Sequence, residues 1–177
     1  MQTPPEIVLA VLENPAVHVS DPRELLLDYL DWYRAALLRK IEGLSDRQLR
    51  TPVSPLGWSP LGMVKHLGWV ERRWMRWGFA AEDVLAYLPG GDAVEWSVPP
   101  EESRDGVLSA YADEVARSRS IAAGADLFQV ARIGGRFQAV GQAPSLGRIL
   151  FHLLQEYARH LGQLDVAREL IDGQTGE

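Results

Sequence analysis

Four stretches of the chain repeat apolar residues at the spacing of an amphipathic helix, with polar residues on the opposite face. The first helix is predicted from Pro22 to about Glu42. Asp21 is placed to act as its N-cap, and Glu24 is placed to close a capping box. Its apolar positions are Leu26, Leu30, Tyr33, Leu37 and Ile41. Gly43 ends this helix, and the SDRQL segment that follows predicts a short helical turn.

A second helix is predicted to begin at Ser59 and Pro60, which repeat the pattern of a capping residue followed by proline. It continues to about Trp77, and Gly78 follows as a stop signal. Its apolar face consists of Met63, Leu67, Val70, Trp74 and Trp77. We therefore expect Trp74 and Trp77 to belong to the core.

Two more helices complete the pattern. The third spans about Ser103 to Ala123, with Val107, Leu108, Tyr111 and Val115 facing inward. Ser145 caps the fourth, which runs to about Asp172 before Gly173. Residues 79–100 are predicted to form a long loop, and residues 124–143 form either a loop or a minor hairpin. With no convincing strand ladder, the pattern predicts an all-α four-helix bundle with long connecting loops over residues 21–176, after an N-terminal arm at residues 1–20.

Composition limits the partners of this domain. The 177 residues fit one domain, and the net charge of -6 argues against nucleic acid and against an anionic membrane surface as partners. The chain has no cysteine, which excludes disulfides, thiolate metal sites and a cysteine nucleophile within it. We expect no secretory signal and no membrane span, and a cytoplasmic location.

The residues that carry chemistry are two histidines and a glutamate on predicted core helices. Glu156 and His160 lie one turn apart on the fourth helix and should face the bundle interior together. His66 lies on the inward face of the second helix. Together they predict a three-ligand site for a divalent metal, with zinc favoured and Fe, Mn or Ni compatible. The alternative is a buried Glu–His pair beside a core histidine.

Other side chains are candidates for the surroundings of this site. Gln163 is placed to orient a metal ligand, although an amide at the edge of the solvent explains it equally well. His152 points away from the other two and is a weaker candidate as a fourth ligand. Further candidates for the pocket are Trp58, Trp69 and Tyr157. Candidates to hold an anionic substrate, each otherwise explained as a surface arginine, are Arg72, Arg73, Arg136 and Arg148. The sequence assigns no catalytic residue.

The segments GWSPLGMVKHLGWVERRWMRWGF and SLGRILFHLLQEYARHLGQLDVARELIDGQTG resemble the DinB-like superfamily of four-helix bundles, in an actinobacterial branch of unknown function. The resemblance covers about residues 21–176. The superfamily includes mycothiol-dependent maleylpyruvate isomerases and bacillithiol S-transferases. In these enzymes one histidine of the second helix and an i, i+4 pair of the last helix hold a divalent metal, which implies His66, Glu156 and His160 here. Many members of the branch have histidine where this chain has Gln163.

The resemblance implies an enzyme that uses a low-molecular-weight thiol as cosubstrate, as a metal-dependent S-transferase or isomerase acting on an electrophile. The absence of cysteine agrees, because any thiol must then come from outside the chain. Two alternatives stay open, namely a metal-dependent hydrolase and a metal-binding stress-related dimer without activity. Because the superfamily is often dimeric and the chain has six tryptophans, we also expect a homodimer.

Overall fold

Six α-helices account for most of the described part of the chain. The computed structural model describes residue 15 and residues 17–175. The helices are α1 (Pro22–Ile41), α2 (Asp46–Arg50), α3 (Pro60–Glu71), α4 (Asp92–Glu95), α5 (Arg104–Ala123) and α6 (Leu146–Asp172). A π-helical segment, Arg72–Phe79, continues α3 without a break. There is no β-strand in this part of the chain, so the predicted all-α class is confirmed. Most of the predicted N-terminal arm lies outside the described residues.

The helix ends lie where the capping residues predict them. The Asp21 carboxylate accepts a hydrogen bond from the backbone N–H of Glu24 at 2.9 Å. Side chains of three serines cap the other long helices in the same way, namely Ser59, Ser103 and Ser145. Gly173 ends α6 in the left-handed conformation at φ 76°. Each cap satisfies a backbone group that the helix itself leaves unbonded, which explains why local sequence determines these boundaries.

The core lies between the four long helices. Helix α1 packs on α6, and α3 packs on both α5 and α6. The predicted apolar face of α6 is buried, at Leu146, Leu150, Leu153, Tyr157 and Leu164. The α5 positions Val107, Tyr111 and Val115 are buried too, and Leu108 packs against them. No helix among the described residues is both long enough and apolar enough to cross a membrane.

The π-helical segment changes which residues of the second long helix face inward. Trp74 and Trp77 are only half-buried, so the expectation that both belong to the core is wrong, although Trp74 packs against the core from its edge. Met75 and Phe79 are buried instead. Hydrogen bonds from residue i to i+5 widen each turn, so the inward face moves along the sequence relative to an α-helix. Both tryptophan rings are thereby left at the surface of the bundle, on the side of the loop at residues 124–143.

The two long connections are loops with little regular structure. The segment at residues 79–100 contains the short helix α4, which sequence patterning does not predict. The segment at residues 124–143 is a loop, since within the described residues it makes a single bridge, between Val130 and Ser145, and one short turn of 3₁₀-helix at Val140–Gln142. Both connections lie against the second long helix, where they surround the candidate site.

Candidate metal centre

Three predicted ligands come together between α3 and α6. His66, Glu156 and His160 each offer one nitrogen or oxygen atom, and these three atoms all lie within 4.8 Å of one another. The His66 and His160 rings meet edge to face, with centroids 5.0 Å apart. On α6, the i, i+4 spacing places Glu156 Oε2 3.3 Å from His160 Nε2. The helix packing of the bundle therefore brings together residues that are about ninety positions apart in the chain.

His160 is held in orientation by a side chain of its own helix. Its Nδ1 lies 2.9 Å from Gln163 Oε1, and its Nε2 faces Glu156. A carbonyl oxygen only accepts hydrogen bonds, so this contact places a ring proton on Nδ1, and Nε2 is the nitrogen that faces Glu156 and would donate its lone pair to a bound metal. Gln163 thus occupies the orienting position that the sequence predicts for it, although the residue itself is exposed.

His66 is enclosed by a segment that sequence analysis does not single out. The Trp96 ring stacks on the His66 ring at 4.1 Å between centroids, and Glu95 Oε2 lies 3.6 Å from His66 Nδ1. This distance is too long for a hydrogen bond, and Nδ1 is buried without another partner. Since Nδ1 faces the Glu95 carboxylate, Nε2 is the nitrogen that remains for the centre. A carboxylate beside the outer nitrogen is the usual arrangement around a histidine that binds metal.

Glu95 itself is fixed by an arginine. Its side chain is buried, and its Oε1 accepts a hydrogen bond from Arg73 Nη1. Arg73 lies in the π-helical segment, so this ion pair connects α4 to the second long helix. In the sequence, Glu95 and Trp96 are marked only as a Glu–Trp pair within a Gly- and Pro-rich loop. Such a loop has no helical or strand periodicity, so the sequence pattern could not identify them as site residues.

Glu156 lies between two imidazoles. Its Oε1 is 3.1 Å from His152 Nε2, while Oε2 faces His160. Hydrogen bonding with His160 lowers the pKa of Glu156, with burial opposing and His152 adding to the shift, so the group is a carboxylate at neutral pH. His152 therefore contacts a candidate ligand and does not join the three residues as a fourth. Its ring lies 4.1 Å from the Trp74 ring.

The charge states of these groups suit metal binding. Burial, with His160 and Arg73 adding to its effect and Glu156 opposing it, lowers the pKa of His66 to about 3. His66 is therefore neutral at neutral pH, and a neutral imidazole is the form that donates a lone pair to a metal. A neutral imidazole at His66 beside the Glu156 carboxylate is the protonation state that a divalent cation requires.

The exposed fractions of the side chains show where the centre opens. Side chains of His66 and His160 are 13% and 10% exposed, whereas those of His152 and Glu156 are 19% and 21% exposed. The opening is therefore on the side of His152 and Glu156. Trp96 covers the opposite side, and Trp58 lies behind it with ring centroids 6.3 Å apart.

Two of the predicted pocket residues lie elsewhere. Tyr157 is fully buried in the core, where its hydroxyl donates a hydrogen bond to Glu71 at 2.9 Å and accepts one from Tyr111. Glu71 also accepts a hydrogen bond from Arg34 Nε at 2.8 Å, which balances its buried charge. Trp69 lines a separate cavity of about 500 Å³ between α3 and α5, and none of the three candidate ligands lines that cavity.

Comparison with known families assigns the chain. The family model described as mycothiol S-transferase matches residues 25–173. The chain belongs to the mycothiol S-transferase family. A comparison with curated proteins finds no match. The match covers α1 through α6, so all three candidate ligands of this mycothiol S-transferase family member lie within it, and residues 1–20 lie outside it.

The residues present fit a divalent metal. Two imidazole nitrogens and one carboxylate oxygen converge, and each ring has its outer nitrogen beside an oxygen acceptor, from Gln163 or Glu95. Three protein ligands leave coordination positions open, as in catalytic rather than structural zinc sites. The donor set suits zinc and is also compatible with Ni, Fe or Mn.

Proposed function

We propose that this protein is a divalent-metal-dependent transferase that couples a low-molecular-weight thiol of the mycothiol type to an electrophile. The observation that carries the proposal is the convergence of His66, Glu156 and His160, in a chain of the mycothiol S-transferase family. Zinc is the metal we expect first, because the ligands are nitrogen and oxygen donors with open positions beside them.

The chemistry follows from the open positions. A divalent metal bound here would lower the pKa of an incoming thiol, so that the thiol loses its proton near neutral pH. The transfer then forms a bond between that sulfur and an electrophilic carbon. In a displacement the leaving group departs with its electron pair, and in an addition the neighbouring atom that receives the displaced electron pair takes a proton from water. An isomerase would release the thiol again after rotation about the former double bond, which is a single bond in the adduct.

Residues around the centre hold the candidate ligands in place and shield one side of the site from water. Gln163 contacts the outer nitrogen of His160 and Trp96 stacks on His66, with Glu95 beside its outer nitrogen, so the ligands need little rearrangement to bind metal. Trp96 excludes water from one side of the site by stacking on His66. The thiol and the electrophile must therefore enter past Glu156, where the side chains are most exposed.

Metal analysis of purified, untagged protein is the first test. We expect about one equivalent of a transition metal in the wild type, and its loss in His66→Ala and His160→Ala. His18→Ala is the matched control, since His18 is exposed and lies outside the matched region. A wild type that neither contains metal nor takes it up would contradict the proposal and would make the Glu156–His160 pair structural.

Thiol consumption is the second test. Because the chain has no cysteine, a colorimetric thiol assay reports only the added thiol. We expect mycothiol to be consumed with an electrophile only when the protein carries metal. Turnover of esters or amides without any thiol would instead support a hydrolase. Bound metal that exchanges no ligand with azide or thiol would support a protein without activity.

Two further properties belong to this proposal. We propose a homodimer, because superfamily members are often dimeric, and sedimentation at a mass near 19.7 kDa would contradict it. We also propose that the protein acts in the cytoplasm, where low-molecular-weight thiols are kept reduced. A chain without cysteine has no disulfide that this reducing environment would break.

A further inference from the structure

The four arginines that the sequence offers for anion binding fall into two groups. Arg72 is bonded to Glu114 and Arg73 to Glu95, so both guanidinium groups already have a carboxylate. Among residues 15 and 17–175, no carboxylate lies within ion-pair distance of Arg136 or Arg148. Both guanidinium groups are therefore available to an anion from outside the chain.

Arg136 lies beside the open side of the metal centre. Its guanidinium carbon is 4.1 Å from the centroid of the Trp74 ring, and that ring is 4.1 Å from the ring of His152. His152 in turn contacts Glu156. A continuous row of side chains thus leads from Arg136 to a candidate ligand. Arg148 lies one helical turn before His152 on α6, so it shares a helix face with His152.

The positive charge of both arginines reaches this opening. The Arg136 guanidinium lies over the Trp74 ring that contacts His152, and Arg148 precedes His152 by one helical turn. An anion at the opening would therefore be attracted by both guanidinium groups, and the attraction is strong where the surroundings are partly buried.

The backbone holds the loop of Arg136 tightly in place. The N–H of Arg136 donates to the carbonyl of Trp77 at 3.1 Å. A Cβ at Gly135 would lie 2.0 Å from the same carbonyl oxygen, so only glycine permits this approach. Stacking on Trp74 occupies one face of the guanidinium and leaves the N–H groups in its plane free. Those groups match the two oxygens of a carboxylate.

We propose that Arg136 makes the enzyme selective for electrophiles that carry a carboxylate, by binding that carboxylate at the opening beside Trp74 and His152. This inference rests on the proposed transferase function. Arg148, on the same face of α6 as His152, adds attraction.

A pair of electrophiles that differ only in charge tests the proposal. The pair is para-(bromomethyl)benzoate and para-(bromomethyl)benzamide, with the uncharged thiol N-acetylcysteinamide. Sulfur forms a bond to the benzylic carbon, the carbon–bromine bond breaks, bromide leaves with the electron pair, and the thiol proton goes to water. We expect Arg136→Gln to lower kcat/KM for the benzoate about tenfold and to leave the benzamide nearly unchanged.

Control variants separate charge from folding. Arg136→Lys keeps the charge without the planar fork, so it should recover part of the preference for the benzoate. Arg132→Gln is the matched control, because Arg132 is an exposed arginine of the same loop with no ion pair to any described residue. A preference for the benzoate that survives in Arg136→Gln, or that disappears equally in Arg132→Gln, would overturn the proposal.

The carboxylate could also belong to the thiol, and a second arm distinguishes that source. N-acetylcysteine replaces N-acetylcysteinamide, with the uncharged benzamide as electrophile. An effect of Arg136→Gln that follows the charge of the thiol and not that of the electrophile would contradict the proposal. An effect that follows the electrophile supports it.

Binding without reaction makes the test independent of the proposed activity. Calorimetric titration with the unreactive para-methylbenzoate and para-methylbenzamide should give a Kd about tenfold lower for the benzoate, and Arg136→Gln should remove the difference. Loss of thiol transfer with this preference intact would refute the transferase function alone. Equal Kd values in the wild type would refute the anion site, even if neutral electrophiles react.

Discussion

One methyl group added at Gly62 should disturb the metal centre without touching a ligand. An ideal Cβ at this position would lie 2.2 Å from the carbonyl oxygen of Trp96 and 3.1 Å from its carbonyl carbon. Contacts under 3.0 Å essentially do not occur, so α3 and the segment of Trp96 must separate by about 0.8 Å. The obstacle is backbone rather than a flexible side chain, so it cannot turn away.

The consequences of this separation have two parts. Overpacking of this kind costs about 1–3 kcal/mol, against which alanine gains up to about 1 kcal/mol over glycine in a helix. We therefore expect Gly62→Ala to lower the free energy of unfolding by about 1–2 kcal/mol. Trp96 and Glu95 also move away from His66, and the loss of such supporting contacts lowers metal affinity about tenfold or more.

Two measurements check these values. Urea unfolding of metal-free protein gives the free energy of unfolding, and competition with a fluorescent chelator gives the zinc affinity. Gly162→Ala is the control, since a Cβ at this α6 glycine meets nothing within 4 Å. It should stabilise the protein by about 0.5–1 kcal/mol and leave zinc affinity unchanged. If Gly62→Ala keeps both wild-type stability and wild-type affinity, the packing of Trp96 against α3 does not support the centre.

Three other changes have definite expected results. Gln163→Ala should weaken zinc binding about tenfold without lowering stability, because only the orientation of His160 is lost; an unchanged affinity would show that the amide has no such role. Glu71→Ala should cost about 3 kcal/mol in urea unfolding, since the buried guanidinium of Arg34 loses its buried carboxylate partner and keeps only the half-exposed Asp31; a cost below about 1 kcal/mol would contradict this. Burial opposes the shift, but two arginine partners lower the pKa of Glu82, so its ion pairs stabilise the fold above the usual glutamate pKa and lose this effect as pH falls through the lowered value. Glu82→Gln should therefore destabilise by up to about 1 kcal/mol at pH 7 and have little effect near pH 3, and an equal cost at both pH values would refute the linkage.

The helices could be predicted because their signals are local. Serine and aspartate caps with proline or glycine nearby mark the ends of α1, α3, α5 and α6, and each such cap satisfies backbone groups in its own turn. The π-helical segment could not be predicted in this way. Its i→i+5 bonds depend on tertiary packing rather than on a residue pattern, and the α-helical period therefore assigned Trp74 and Trp77 to the core.

The candidate ligands could be predicted for a similar reason. Glu156 and His160 share a helix face, and the apolar neighbours of His66 indicate that it points inward. Glu95 and Trp96 could not, because they belong to a loop whose path over α3 is fixed by contacts distant in sequence. Arg136 was one of four equivalent arginines until the ion pairs of Arg72 and Arg73, and its own stacking on Trp74, distinguished it.

The residues that support the site and the candidate ligands come from different parts of the fold, and this determines which of them can change independently. The three candidate ligands come from the helices of the bundle, whereas Glu95, Trp96 and Arg136 come from the two long connections. Exchange of either connection would alter the environment of His66 or the charge at the opening while the ligands keep their places. Loops can therefore change the surroundings of the site between proteins built on this bundle while the three candidate ligands keep their places.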